Sequence, residues 1–64
     1  MQEHEIRVVN EKEQLDDKIS KLSEFMHSPK YVALPSVEQG LLMLQLSQMQ
    51  SYSATLFRRI ELFN

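Results

Sequence analysis

Residues 42–63, LMLQLSQMQSYSATLFRRIELF, decide the fold, because apolar side chains recur there with helical spacing. Steps of four, three, seven, four and three residues separate the members of this stripe, which are Leu42, Leu46, Met49, Leu56, Ile60 and Phe63. Such steps keep side chains on one face of an α-helix. Ser53 interrupts the stripe at a position where a seven-residue repeat would place another apolar residue. The segment therefore predicts an amphipathic helix with one face packed against a neighbour.

The start of this helix is predicted at Ser36. Ser36 and Gln39 have the spacing of a capping box, in which the hydroxyl and the amide bind backbone groups of the first turn. Pro29 and Pro35 precede it and bound a connector over residues 28–35. We expect helix two to span about residues 36–62, and the connector to fold over the end of the core.

A second amphipathic helix is predicted upstream, over about residues 3–27, which contain no glycine or proline. Lys12 lies where the apolar stripe of this helix has a gap, and its stem can pack while its ammonium group reaches water. The stripe itself consists of Val8, Leu15, Ile19, Leu22 and Met26. Two helices of similar length and a short connector predict an all-α fold, a two-helix antiparallel hairpin of coiled-coil type that forms one domain over residues 1–64.

Several apolar side chains lie outside the two stripes and need another partner. They are Ile6, Val9, Phe25, Leu41, Leu44, Tyr52 and Phe57. A chain of 64 residues without cysteine has a marginal core and no disulfide to support it. We expect hairpins to self-associate into a bundle, a dimer or larger, with Leu41, Leu44 and Phe57 at the interface. In the alternative, this surface and its adaptable methionines bind another protein.

Several functional classes are not expected for this composition. The net charge of −2 gives no basic surface for DNA. No segment resembles a membrane span or a signal peptide, so a cytoplasmic protein without a membrane partner is expected. His4 and His27 lie at opposite ends of helix one, and no nucleophile lies beside a base, so we expect no metal, no cofactor, no catalytic residue and no enzyme.

One group of cations is a candidate binding site. Antiparallel packing would bring Arg7 and His4, at the start of helix one, near Arg58 and Arg59 at the end of helix two. These cations have a structural explanation, because they complement helix dipoles and form surface ion pairs. In the functional interpretation, the arginines bind phosphates while Tyr52, about two turns away, stacks on a base.

Four segments resemble a class of small phage-encoded helical-hairpin proteins that includes the anti-CBASS and anti-Thoeris cyclic-nucleotide sponges. The segments are Arg7-Val-Val-x-Glu-Lys, Leu15-Asp-Asp-Lys-Ile-Ser-Lys-Leu, the aromatic-x-x-Leu-Pro connector from Tyr31 to Pro35, and Met49-x-x-Tyr-x-x-x-Leu-x-x-Arg-Ile. The resemblance implies a phage-encoded oligomer in the host cell cytoplasm that sequesters cyclic di- or trinucleotide immune signals between subunits without cleaving them.

The resemblance also implies a binding residue. The leucine-x-arginine segment of the sponges is similar to Leu56-Phe-Arg58, so Arg58 is the first candidate ligand-binding residue. Arg59, Tyr52 and Arg7 join it on chemical grounds. Tyr52 and Ser53 replace the glycine and phenylalanine that precede this segment in some sponges. The alternative function is a phage early-region protein that binds a host or phage protein through its apolar helix surface.

Overall fold

The computed structural model describes residues 1–63 and contains three helices in this range. They are α1 (Glu3–Met26), α2 (Pro29–Val32) and α3 (Ser36–Glu61). The chain is thus all-α, as the helical spacing of its apolar residues predicted. The long dimension of the molecule is 46 Å, and the other two are 15 and 13 Å.

Local sequence features explain where helix α1 begins and where it ends. The Gln2 backbone N–H donates to Glu5 Oε1 over 2.8 Å, and the carboxylates of Glu3 and Glu5 complement the positive end of the helix dipole. At the other end, the proline at position 29 excludes residue 28 from the helical region. Ser28 instead caps α2, since the Tyr31 backbone N–H donates to its hydroxyl over 3.4 Å. Two residues, His27 and Ser28, therefore separate the two helices.

The residues between α1 and α3 are held by specific contacts. The predicted connector contains the short helix α2, and Tyr31 from that helix meets the Phe25 ring edge-on at 6.2 Å between centroids. Tyr31 Oη donates to the Gln39 carbonyl over 3.1 Å. Gln39 Nε2 lies 2.9 Å from the Leu34 carbonyl and 3.1 Å from those of Tyr31 and Val32, so its two N–H bonds are shared among three acceptors.

These contacts correct the capping box predicted for α3. Ser36 is the first helical residue, Pro35 holds the N-cap position, and no side chain caps this end. The Gln39 amide donates to carbonyls of the connector instead of returning to the backbone of the first turn. Proline is a suitable residue before a helix, because its fixed φ and missing N–H cost nothing there. The same glutamine thus fixes the connector to α3.

Helices α1 and α3 lie side by side, and their contacts run in opposite order along the chain. His4 meets the Phe63 ring, with centroids 6.4 Å apart, while Asp16 further along α1 bonds to Ser53. Every third or fourth residue from position 39 to position 63 is shielded by this packing. The shielded positions are Gln39, Leu42, Leu46, Met49, Ser53, Leu56, Ile60 and Phe63, a heptad series that includes the whole predicted stripe.

Full burial is confined to a small part of this contact. Leu56 is 0% exposed, and Val8 and Ser53 are each 8% exposed; the other shielded residues among 1–63 are half-buried. A core of this size supports little stability by itself. No helix within residues 1–63 has both the length and the apolar composition needed to cross a membrane.

Candidate functional site

Arg58 and Arg59 lie in the last turn of α3 and are both exposed. Cations at this end stabilise the helix by complementing the negative end of its dipole. Arg58 follows the buried Leu56 by two residues, about 200° around the helix, so it projects away from α1. None of the ion pairs within residues 1–63 includes either arginine. Two guanidinium groups are therefore presented to solvent at one end of the molecule.

Tyr52 lies on the same side of α3 as Arg59. The two residues are seven positions apart, which places them about two turns, or roughly 10 Å, from each other along one face. Tyr52 is 45% exposed, so part of its ring is open for contact. A phenol ring and a guanidinium at this separation can contact a base and a phosphate of one extended ligand.

Arg7 and His4 do not join this group within a single chain. Arg7 Nη2 donates to Glu3 Oε1 over 2.8 Å in an exposed ion pair on α1. The His4 ring packs edge-on against Phe63. The ion pair of Arg7 is thus within its own helix, and residues 1–63 form no pocket that would hold Arg7 together with Arg58 and Arg59. The predicted cluster of four cations is thus divided between α1 and the outer side of α3.

The two polar residues that interrupt the apolar stripes are joined through Asp16. Lys12 Nζ donates to Asp16 Oδ2 over 2.6 Å, and Ser53 Oγ donates to Asp16 Oδ1 over 2.5 Å. The Lys12 ammonium, and after it the Ser53 hydroxyl, lower the pKa of Asp16 below its ordinary value of 3.8. This link between α1 and α3 fixes their alignment, because a one-turn shift would leave the buried Ser53 hydroxyl without its acceptor.

Phe57 lies beside Lys12, which is part of this polar link, and apart from the other predicted interface residues, Leu41 and Leu44. Lys12 Nζ lies 5.9 Å from the centroid of its ring, within cation–π distance. Leu41 and Leu44 lie about 140° to 160° around α3 from Phe57. They are 60% and 54% exposed, and Phe57 is 52% exposed. The three residues therefore form two surfaces on opposite flanks of α3.

Metal-ligating residues are not clustered in the part of the chain that the structure describes. No three histidine, aspartate or glutamate side chains within residues 1–63 are placed to hold an ion. His27 Nδ1 lies 2.7 Å from the Ser23 carbonyl, in a contact within its own helix.

Sequence comparisons relate this chain to phage proteins. The family model described as Sequestin matches residues 2–62. An uncharacterized 7.5 kDa protein in the denB-rIIB intergenic region of Enterobacteria phage T4 is 42% identical over 60 residues, which cover 94% of each chain. No solved structure matches this chain.

Proposed function

The chain belongs to the Sequestin family, and from this membership we propose that it is a non-enzymatic phage accessory protein that captures cyclic oligonucleotide immune signals. In this proposal, hairpins of α1 and α3 self-associate in the host cell cytoplasm, and the ligand binds between subunits. The family name suggests sequestration, and the T4 relative supports a phage origin. The cyclic di- or trinucleotide is the ligand class implied by the sponge-like segments.

The exposed arginine pair at the end of α3 is the observation that carries the proposal. A cyclic oligonucleotide presents several phosphates and bases within a small volume, and guanidinium groups bind phosphate through two parallel hydrogen bonds. Arg58 and Arg59 have no acidic partner within residues 1–63, so their donors are available. Tyr52 adds a partly exposed ring on the same side as Arg59. Capture requires binding alone, which this surface can provide without a catalytic group.

Titration calorimetry with a panel of cyclic dinucleotides and cyclic tri-AMP tests this proposal. We expect one member to bind and to raise the thermal midpoint, because a ligand that binds only the folded assembly stabilises it. Arg58→Ala should weaken binding at least tenfold. Lys18→Ala, which removes an exposed cation of α1, should bind as the unchanged chain does. Absence of binding across the panel would refute capture of this ligand class.

The fate of the bound ligand separates capture from cleavage. After incubation with excess protein, the protein is denatured and the released nucleotide is examined by chromatography. Sequestration predicts full recovery of intact ligand, whereas an enzyme would yield linear or smaller products. Accumulation of such products would contradict the non-enzymatic proposal even if binding were tight.

The alternative proposal, a host or phage protein as partner, rests on the exposed apolar side chains of α3. Leu41 and Leu44 are more than half exposed, and apolar anchors of this kind contribute strongly to protein interfaces. A protein-binding hairpin should tolerate Arg58→Ala. It should lose its partner with Leu44→Ala, or with Phe57→Ala where the partner covers the opposite flank of α3. Loss of activity with Arg58→Ala, but not with Leu44→Ala, would favour the nucleotide proposal.

A further inference from the structure

The middle of α3 contains no charged residue. From Gln39 to Phe57, nineteen consecutive residues lack aspartate, glutamate, lysine and arginine, although only one side of this helix packs on α1. A helix with its remaining faces in water ordinarily carries charges on them. Charges reappear only at the ends, as Glu38 before this segment and Arg58 and Arg59 after it. The pattern indicates that a further face of α3 is covered.

A second stripe on α3 identifies that face. Steps of four, three, four, four, three and four residues connect its members, which are Val37, Leu41, Leu44, Gln48, Tyr52, Thr55 and Arg59. At 100° per residue, these positions lie within a sector about 80° wide, whose centre is about 120° around α3 from the centre of the stripe that faces α1. Val37 is 72% exposed and Leu41 60%, so the apolar part of this stripe is uncovered in one chain. Helix α3 thus has two packing seams.

We infer that this second stripe packs against the same stripe of a second copy of the chain, in antiparallel orientation, with Gln48 of each copy at the two-fold axis. In this arrangement Leu44 faces Tyr52 of the other copy, and Leu41 faces Thr55. The inference rests on the self-association proposed above and adds its geometry. An isologous contact of this kind closes after two copies, as most small homo-oligomers do.

The charges at the ends of the stripe favour the second copy and its direction. Glu38 and Arg59 lie ten and eleven residues from Gln48, on opposite sides of it. Reversing one helix about Gln48 therefore brings Glu38 beside Arg59 of the other copy, at both ends of the contact. A parallel pair would place like charges together, which is unfavourable at close range. The surface is complementary to itself only when one copy is reversed.

Gln48 has a specific role in this contact. A polar residue at the centre of an apolar seam selects one alignment, because any shift leaves its amide without a partner. Two glutamine amides that meet across a two-fold axis can each donate to the other's carbonyl oxygen. Leu41 and Leu44 of each copy then provide the apolar contact on either side of the two-fold axis, and the pair of amides fixes the register.

The arrangement also divides the roles of the two arginines. Tyr52 and Arg59 enter the contact between copies, where Tyr52 faces Leu44 and Arg59 pairs with Glu38 of the other copy. Arg58, 100° further around the helix from Arg59, is then the residue of this group that keeps its side chain available for a ligand. The two Arg58 side chains lie near opposite ends of the contact, and their Cα atoms are about 30 Å apart along α3. A dimer would therefore carry two equivalent ligand sites, each formed beside the start of α3 from the other copy.

Two adjacent residues provide a matched test by light scattering. Leu44→Glu places a charge in the second stripe, whereas Met43→Glu places the same charge on the neighbouring position outside it; the two native side chains are similarly exposed. We expect Leu44→Glu to lower the molar mass at least twofold and Met43→Glu to leave it unchanged. Equal behaviour of the two variants would overturn the inference, whatever their common mass.

Disulfide trapping tests the geometry without introducing a charge, because the chain has no native cysteine. Gln48→Cys should form a covalent dimer on oxidation, and Ala54→Cys, about 120° around α3, should not. In a mixture, Leu41→Cys and Thr55→Cys should link to each other; homodisulfides within each variant would show a parallel pair and refute the reversed orientation. An assembly without the Gln48→Cys link would overturn this geometry while leaving self-association intact, and a monomer would overturn both.

Discussion

Helices α1 and α3 are nearly equal in length, at 24 and 26 residues, yet their surfaces differ. Charged side chains occupy every exposed side of α1, which carries Glu3, Glu5, Arg7, Glu11, Lys12, Glu13, Asp16, Asp17, Lys18, Lys21 and Glu24. Helix α3 has four, namely Glu38, Arg58, Arg59 and Glu61. The difference is that the exposed sides of α1 are charged, whereas those of α3 are mostly uncharged, and we propose that one of them is covered by a second copy.

The exposed ion pairs within residues 1–63 lie on α1, the helix with charged exposed sides. Arg7 with Glu3 and Lys21 with Asp17 are exposed pairs within α1, spaced four residues apart. Such pairs add little stability and mainly keep a surface hydrated. Apolar burial is shared between the helices, since Val8 comes from α1 and Leu56 from α3. We therefore expect the effect of a mutation on stability to depend on whether the side chain faces the other helix or solvent, rather than on the residue type.

The largest effect is expected at the contact between the two helices. Leu56→Ala removes the most buried side chain and should lower the free energy of unfolding by about 2–5 kcal/mol, measured by urea denaturation. Val8→Ala, on the facing helix, should cost less because valine loses fewer atoms. Met43→Ala, at a 59% exposed position, is the matched control and should change stability little. A comparable loss from all three would contradict the assignment of the core.

A smaller, stabilising effect is expected at Gly40 in the second turn of α3. A Cβ at this position would meet nothing within 4 Å, so alanine fits without strain. Alanine in a helix interior is about 1 kcal/mol more favourable than glycine, and Gly40→Ala should raise the thermal midpoint accordingly. The reverse change, Ala54→Gly, should lower it by a similar amount. No gain from Gly40→Ala would indicate that another chain approaches the backbone there.

The smallest effect concerns pH and the link between Lys12, Asp16 and Ser53. The pKa of Asp16 is lower in the folded chain than its ordinary value of 3.8, so ionised Asp16 stabilises the fold above that pH. This contribution is lost as the pH falls through the lowered pKa. Thermal midpoints of the unchanged chain and Asp16→Asn should therefore differ most at about pH 7, and the difference should shrink in acid, below pH 3.8, as the pH falls through the lowered pKa.

Exposed carboxylates of α1 provide the control for this measurement. Glu13→Gln removes a charge without disturbing a contact between the helices, so its difference from the unchanged chain should be small at both pH values. If Asp16→Asn behaved in the same way, the negative charge of Asp16 would contribute nothing to stability.

The sequence predicted the parts of the fold that depend on periodic burial. The stripe from Leu42 to Phe63 is shielded as a heptad series, because its spacing keeps one side towards α1. The capping box at Ser36 was wrong because a glutamine amide can satisfy several acceptors, and Gln39 meets those of the connector. Spacing within one helix cannot show which acceptors a neighbouring segment brings.

The candidate site was less predictable, because it depends on rotation around each helix as well as on position along it. Arg7 and Arg58 lie at the same end of the molecule, yet Arg7 pairs with Glu3 and Arg58 projects away from α1. The bond from Ser53 to Asp16 was missed, although a signal for it existed. Lys12 and Ser53 were the polar exceptions in two facing stripes, and one acidic residue a turn after Lys12 can bond to both.

The central claim, that α3 is completed by further copies of this chain, is tested most directly by molar mass in solution. Light scattering across a range of concentrations should give a multiple of the 7.6 kDa chain mass, and the thermal midpoint should rise with concentration. A mass of 7.6 kDa and a constant midpoint at every concentration would contradict the account, because α3 would then remain uncovered in a stable monomer.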